Sequence, residues 1–261
     1  MYVLWFLERR CYGLIIDIHA HIWGNCIAES KNHILKAIEA HKIDKVYISA
    51  LQNLIPDKEE IAFLNAEVYK FMQEQPEKIG GAVYLNPTHD NTMDILQRAC
   101  EEQGFEMVKL WVSTLADDPR VDPIMEYAGK IGVPVMMHAL IDSVKQFPTC
   151  STGVHIANIA RRHPKTKILM AHLGSACCHG IPAIAELENV WCDFSGPSFH
   201  GEDINYTVEK IGADRLLFGT DMPGPYLTNY GQVMGADLTS AQRELIFYKN
   251  AQKLLDRNFK L

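Results

Sequence analysis

Ile15-Ile16-Asp17-Ile18-His19-Ala20-His21 decides how this chain is read. Residues two apart on a β-strand point to the same side, so His19 and His21 project together, roughly 7 Å apart at about 3.3 Å per residue. Two imidazoles presented that way form half of a metal site. Asp17 shares their parity, and the stretch opens a series of similar units.

Downstream, residues 30–41 carry Ile34, Ala37 and Ile38 at helical spacing, and Val46-Tyr47-Ile48-Ser49-Ala50 reads as a second strand. Asp57-Lys58-Glu59-Glu60 has capping-box form ahead of the helical Ile61, Leu64, Val68 and Phe71. The alternation continues with strands at 81–85, 105–110, 133–138, 168–172, 190–194 and 215–221. Helices are expected at 92–103, from 122 to about 132, and at 153–163, 182–187, 204–211 and 239–256, the last opened by Thr239-Ser240-Ala241-Gln242.

Strand ends at 21, 50, 85, 110, 138, 172, 194 and 221 are separated by 29, 35, 25, 28, 34, 22 and 27 residues. Each gap matches a βαβ unit of about 30 residues. The expected architecture is α/β, a single (β/α)₈ TIM barrel over residues 14–261, with residues 1–13 as an N-terminal extension.

Composition narrows the function. The 261 residues carry a net charge of −7 with both signs dispersed, which argues against a nucleic-acid partner, because phosphate binding needs clustered cations. No segment is long and apolar enough to span a membrane. Residues 1–12 place an apolar run before Glu8-Arg9-Arg10, the reverse of a secretion signal. Seven cysteines without CxxC spacing fit reduced thiols and a cytoplasmic location. The expected partner is a small-molecule substrate, and a homodimer is allowed for.

Chemistry in such barrels sits at the C-terminal strand ends. Those ends hold Asp17, His19 and His21 on strand one, Lys109 on four, His138 on five, His172 on six and Asp221 on eight. Several imidazoles and one carboxylate converging this way suit a borderline divalent ion such as zinc. Asp221 is the natural acid/base, able to take a proton from water and pass it to a leaving group. His172 is read as a proton-transferring side chain rather than a ligand of a second ion. The loops after the strands set the substrate, and Trp23, Phe199 and Tyr226 suit a small, partly apolar or ring-shaped acid. Asp193 on strand seven is read as structural, and Asp17 as orienting a histidine or the backbone.

Asp17-Ile18-His19-Ala20-His21, His138, Ala171-His172-Leu173-Gly174, and above all Ile211-Gly212-Ala213-Asp214-Arg215-Leu216-Leu217-Phe218-Gly219-Thr220-Asp221-Met222-Pro223 resemble the amidohydrolase superfamily. The similarity is greatest to the amidohydrolase 2 group, related to aminocarboxymuconate semialdehyde decarboxylase, and extends to Lys249-Asn250-Ala251. The resemblance implies that His19, His21, His138 and Asp221 hold one divalent metal, most often Zn²⁺, with Mn²⁺ or Fe²⁺ as alternatives. It implies catalytic roles for Asp221 and His172. In related branches a strand-four lysine is carbamylated and bridges two metals, whereas this group works with one ion; Lys109 is therefore weighed as a substrate contact against the more common pocket-lining or salt-bridged role. The implied activity is hydrolysis of a small amide, lactone or ester, or else non-oxidative decarboxylation of a small aromatic or unsaturated carboxylic acid on the same site.

Overall fold

Alternating buried strands and one-sided helices close into an eight-stranded parallel barrel with strand order β1 to β8. The computed structural model describes residues 13–141, 145–175, 177–196, 200–223, 226–259 and 261. Strands are β1 (Ile16–Trp23), β2 (Lys45–Leu51), β3 (Ile79–Leu85), β4 (Met107–Leu110), β5 (Val135–Met137), β6 (Ile168–Met170), β7 (Val190–Asp193) and β8 (Leu216–Leu217). The helices around them are α1 (Ile27–His41), α2 (Lys58–Glu74), α3 (Thr92–Glu101), α4 (Asp122–Ile131), α5 (Gly153–Arg162), α6 (Cys177–Ile184), α7 (Gly201–Ile211) and α8 (Tyr226–Gly235). A last helical run begins at α9 (Ser240–Glu244), passes through a π-turn and ends in α10 (Asn250–Leu255).

Helix α2 shows how the sequence pattern becomes packing. Ile61, Leu64, Val68 and Phe71 are all buried against β2 and β3, each side chain worth about 1.5–3 kcal/mol relative to exposure. Asp57 caps the helix by accepting from the Glu60 N–H at 2.8 Å. The expected box is only half built, because the Glu60 carboxylate turns to Asn53. The box at Thr239 and Gln242 is complete.

The seam between β8 and β1 is irregular and is closed by specific bonds. Ile18 N–H donates to the Phe218 carbonyl at 3.0 Å, Asp221 N–H to the His19 carbonyl at 2.7 Å, and His21 N–H to the Met222 carbonyl at 2.7 Å. Asp17 staples the same seam, accepting from the Thr220 N–H at 3.1 Å and the Thr220 hydroxyl at 2.5 Å. Its burial pushes the carboxyl up to about 7.

Several boundaries move from the expected ones. Strand β8 pairs over two residues only, since Gly219 to Asp221 turn into the seam instead of continuing the ladder with β7. Helix α6 begins at Cys177 rather than 182 and keeps Pro182 inside it, a position at which the missing N–H removes one internal bond. Cys177 and Cys178 are free thiols, and Cys177 meets Asp203 at 3.2 Å.

The motif Ala213-Asp214-Arg215 is architectural. Arg215 lies between α7 and β8 and donates to the carbonyls of Ala185 at 2.7 Å and Leu187 at 2.8 Å, fixing the turn that follows α6. Asn250 donates to Ala213 and Leu216 carbonyls, both at 2.7 Å, and so straps α10 to β8.

Candidate metal centre

The C-terminal strand ends bring His19, His21 and Asp221 together. His19 Nε2 and His21 Nε2 are 3.1 Å apart, Asp221 Oδ1 is 3.1 Å from the latter and 3.8 Å from the former, and the three ligand atoms fit within 4.8 Å of one another. A tetrahedral ion with bonds of about 2.0–2.1 Å separates its ligands by about 3.3 Å, so the spacing suits one.

The donor set fits a metal on its chemistry as well. His19 Nδ1 donates to Asp193 Oδ2 at 3.0 Å, which leaves the Nε2 lone pair facing the cluster. His21 is fixed through Nδ1 by the Ser49 hydroxyl at 2.8 Å. Burial, with Lys109 nearby, pushes His19 down to about 3; burial likewise lowers His21, and lowers His138 strongly. All three imidazoles are therefore neutral, the form that ligates. Burial alone would raise Asp221 and Asp193, but their histidine partners outweigh it and hold both well below the usual carboxylate range.

His138, the expected fourth ligand, is not among the ligand atoms gathered within 4.8 Å; it stands beside the cluster and meets His172, whose Nε2 is 3.2 Å from His138 Nδ1. His172 Nδ1 lies 2.9 Å from the Ser195 carbonyl, and its ring is 5.1 Å from that of His19. His172 has φ 61, and Leu173, Ser175 and Asp221 also have positive φ, four of the five such non-glycine residues described. Backbone strain is thus concentrated in the turns that aim side chains at the cluster.

Lys109 is fully buried, its Nζ 3.0 Å from His19 Nε2 and 3.4 Å from Met136 Sδ. Among the described residues no carboxylate stands within ion-pair distance of it, so the salt-bridged alternative is not realised. Burial lowers its amine to about 8 against the pull of Asp221 and Asp193.

Trp23 is half-buried beside the cluster, its ring 6.1 Å from His21 and 6.3 Å from Trp111. Tyr226 is elsewhere. Only 5 % exposed, it stacks on His41 at 4.3 Å and packs on Phe218 and Tyr230, so it belongs to the layer between barrel and helices rather than to the mouth. As the first residue of α8, it buries its large ring where that helix meets the barrel wall. Phe199 lies outside the described residues.

Asp17 does what was expected of it, accepting the backbone N–H of His19 at 3.1 Å and holding Thr220, while Asp193 is more central than expected. Asp193 bonds His19 Nδ1, the His172 N–H at 3.3 Å, the Ser195 N–H at 2.9 Å and the Ser195 hydroxyl. Ser195 stands in the loop after strand seven that is expected to rim the pocket, but neither it nor Ser49 carries a distinctive signal along the chain for holding a histidine. The only cue was a small hydroxyl at or just beyond the end of an apolar strand. A cavity of about 580 Å³ opens at this mouth beside His138, while a slightly larger one lies at the opposite, N-terminal face and holds none of these side chains.

A (β/α)₈ barrel with two buried histidines and a half-buried aspartate clustered at its C-terminal face defines a class of metal-dependent enzymes. The sequence matches the model of a protein family described as amidohydrolase over residues 16–257, and the chain belongs to that family. Its structure is similar to 2,6-dihydroxybenzoate decarboxylase from Rhizobium (TM-score 0.76, 20 % identity, covering 93 % of this chain and 98 % of that one). It is similar also to a dihydroxybenzoic acid decarboxylase from Polaromonas sp. JS666 with bound manganese and 2-nitroresorcinol (0.75, 18 %, 94 % and 98 %). A third similar structure is 4-oxalomesaconate hydratase from Rhodopseudomonas palustris (0.69, 19 %, 94 % and 96 %). No helix among the described residues is long and apolar enough to cross a membrane.

Proposed function

We propose that this enzyme hydrolyses an amide, lactone or ester of a small molecule with the help of one divalent ion, most suitably Zn²⁺, held by His19, His21, His138 and Asp221. The observation that carries this reading is the placing of Lys109. A buried cation 3.0 Å from His19 Nε2, without a carboxylate partner among the described residues, is positioned to meet the negative charge that develops on a carbonyl oxygen under attack.

When bound, the ion polarises the carbonyl and lowers the pKa of a water. The residues do the rest. Asp221, whose side chain is 33 % exposed and faces the cluster through Oδ1, takes the proton from that water and returns it to the departing nitrogen or oxygen. Lys109 donates to the developing oxyanion. His172, held by the Ser195 carbonyl, keeps its other nitrogen toward His138 and the substrate.

The manganese-containing neighbour supports a divalent metal without deciding which one. Its name, like that of the Rhizobium structure, favours a second reading on the same residues, non-oxidative decarboxylation, with Asp221 or His172 protonating carbon. Similarity supports this reading at least as well as hydrolysis. A cation beside a leaving carboxylate stabilises the ground state, which is why Lys109 tips the reading toward hydrolysis.

The test is a metal-loaded substrate screen in H₂¹⁸O. Incorporation of ¹⁸O into the product without CO₂ supports hydrolysis, and CO₂ release without ¹⁸O uptake replaces it with decarboxylation. Absence of a stoichiometric divalent ion from the purified protein, unchanged on converting His19 and His21 to Ala, would overturn both.

A further inference from the structure

A cavity of about 620 Å³ opens on the N-terminal face of the barrel, at the end away from the metal centre. That volume is in the range of small-ligand sites. Chemistry in such barrels belongs to the opposite end, so the reaction does not account for a space of this size here. Ala128 and Gly129 of α4 and Ala160 of α5 keep it open, and Leu187 and Phe259 add apolar surface.

Both signs of charge line this cavity, each from its own turn. The turn before β6 supplies Arg161, Lys165 and Lys167, and the turn before β7 supplies Glu186 and Glu188. Lys167 is only 3 % exposed and donates from Nζ to the Asp256 carbonyl at 2.8 Å, which places a buried ammonium against the cavity. The side chains of Arg161, Lys165, Glu186 and Glu188 enter no ion pair or hydrogen bond among the described residues, although β6 and β7 are neighbours in the sheet. Arg162 and His163 in the same turn behave otherwise, both closing on Asp122, at 2.8 and 2.7 Å. Opposite charges that line one cavity without closing on each other leave room for a ligand that carries both.

We infer that this cavity is a second ligand site, one that takes a free α-amino acid with an apolar side chain. The carboxylate meets Arg161, Lys165 and Lys167, the ammonium meets Glu186 and Glu188, and the side chain lies on Ala128, Ala160, Leu187 and Phe259. The guanidinium of Arg161 can hold a carboxylate through two parallel bonds. Helices α4 and α5 both end at this cavity, and the partial negative charge of their carbonyl ends adds to the pull of the glutamates on an ammonium. A plain anion would lie beside the two glutamates and a plain cation beside the three basic groups, so the zwitterion is preferred to either. The site shares no residue with the metal centre, so its occupancy is read apart from the reaction.

L-Norleucine, hexanoate and pentylamine test this on the full-length, Zn²⁺-loaded protein. The last two each lack one of the charges, and none offers an amide or ester bond to the metal centre. Isothermal titration is expected to show saturable binding of norleucine at least about tenfold tighter than that of either other probe. Amide resonances of Gly129, Leu187 and Phe259 should shift on binding, while those of His19 and His138 stay in place. Glu186→Gln combined with Glu188→Gln should cut the preference over hexanoate to within about threefold, and Arg161→Gln combined with Lys165→Gln the preference over pentylamine likewise. These four side chains are exposed, so both double variants should melt as the wild type does. Absence of saturable norleucine binding, equal affinity of the three probes, a preference that survives both double substitutions, or shifts confined to the strand ends at the metal centre overturns the site.

Discussion

Asp193 Oδ2 accepts the hydrogen bond of His19 Nδ1 at 3.0 Å, joining the end of β7 to the first histidine of β1 across 174 residues of chain. This carboxylate sets the tautomer of His19 and, through the Ser195 hydroxyl and the His172 N–H, the neighbouring turn. Asp193→Asn keeps the shape but can present an N–H where the imidazole needs an acceptor. Metal affinity should fall by about 10–100-fold, read by chelator competition. Unchanged affinity in a folded variant would reduce Asp193 to a packing role.

Lys109→Met separates catalysis from stability. Methionine fills the stem's volume beside Met136 and removes a buried cation, so the metal-free variant should melt no lower than the wild type. Turnover should drop by about 10²–10³-fold with metal content retained, as for loss of an oxyanion donor. A variant as active as wild type would remove the observation on which hydrolysis is preferred.

Gly196 has φ 85, and a Cβ there would lie 2.6 Å from His172 Nδ1. Gly196→Ala should therefore push the His172 ring out of place and lower turnover about tenfold or more, while His19 and His21 still take up metal. Metal analysis alongside steady-state kinetics checks it; equal loss of metal and activity would mean that the whole β7 turn had moved.

Asn250→Ala leaves the carbonyls of Ala213 and Leu216 without their donor in a buried site. A loss of about 2–4 kcal/mol is expected in urea unfolding, with turnover per folded molecule unchanged. A selective loss of turnover would place this residue in the chemistry instead.

The pair Asp122–His163 supplies a pH dependence away from the metal. Burial raises the Asp122 carboxyl, but His163 at 2.7 Å and Arg162 at 2.8 Å outweigh this and bring it below its ordinary value. A lowered folded-state pKa gives stability above the unfolded carboxylate range that is lost as pH falls through the folded value. Asp122→Asn should cost about 1 kcal/mol at pH 7, and the difference from wild type should shrink below about pH 4. A difference constant with pH would mean that helix packing, not charge, is responsible.

Much of this molecule is legible along the chain. His19 and His21 stand out because they share parity on an apolar strand, and Asp221 because it closely follows one. Asp193 and Ser195 were harder to read, since an acid and a hydroxyl near a strand end have solvated roles more often than buried ones. Their importance depends on β7 coming within reach of β1 across the short β8. Tyr226 is the complementary case. An aromatic residue in a loop after β8 can face the mouth or the helix layer, and only the packing of His41, Phe218 and Tyr230 chooses.

The sequence by itself determined the barrel, its strand count and which strand ends carry imidazoles, because hydrophobic periodicity and capping are local and repeat with the unit. The tertiary structure decided how the imidazoles are held: which nitrogen of His19 faces the cluster, that Lys109 stands without a carboxylate among the described residues, and that Trp111 and Phe147 line one cavity. Those are relations between segments as much as 174 residues apart, as between His19 and Asp193, and exist only once the sheet has closed and water has been excluded from its centre.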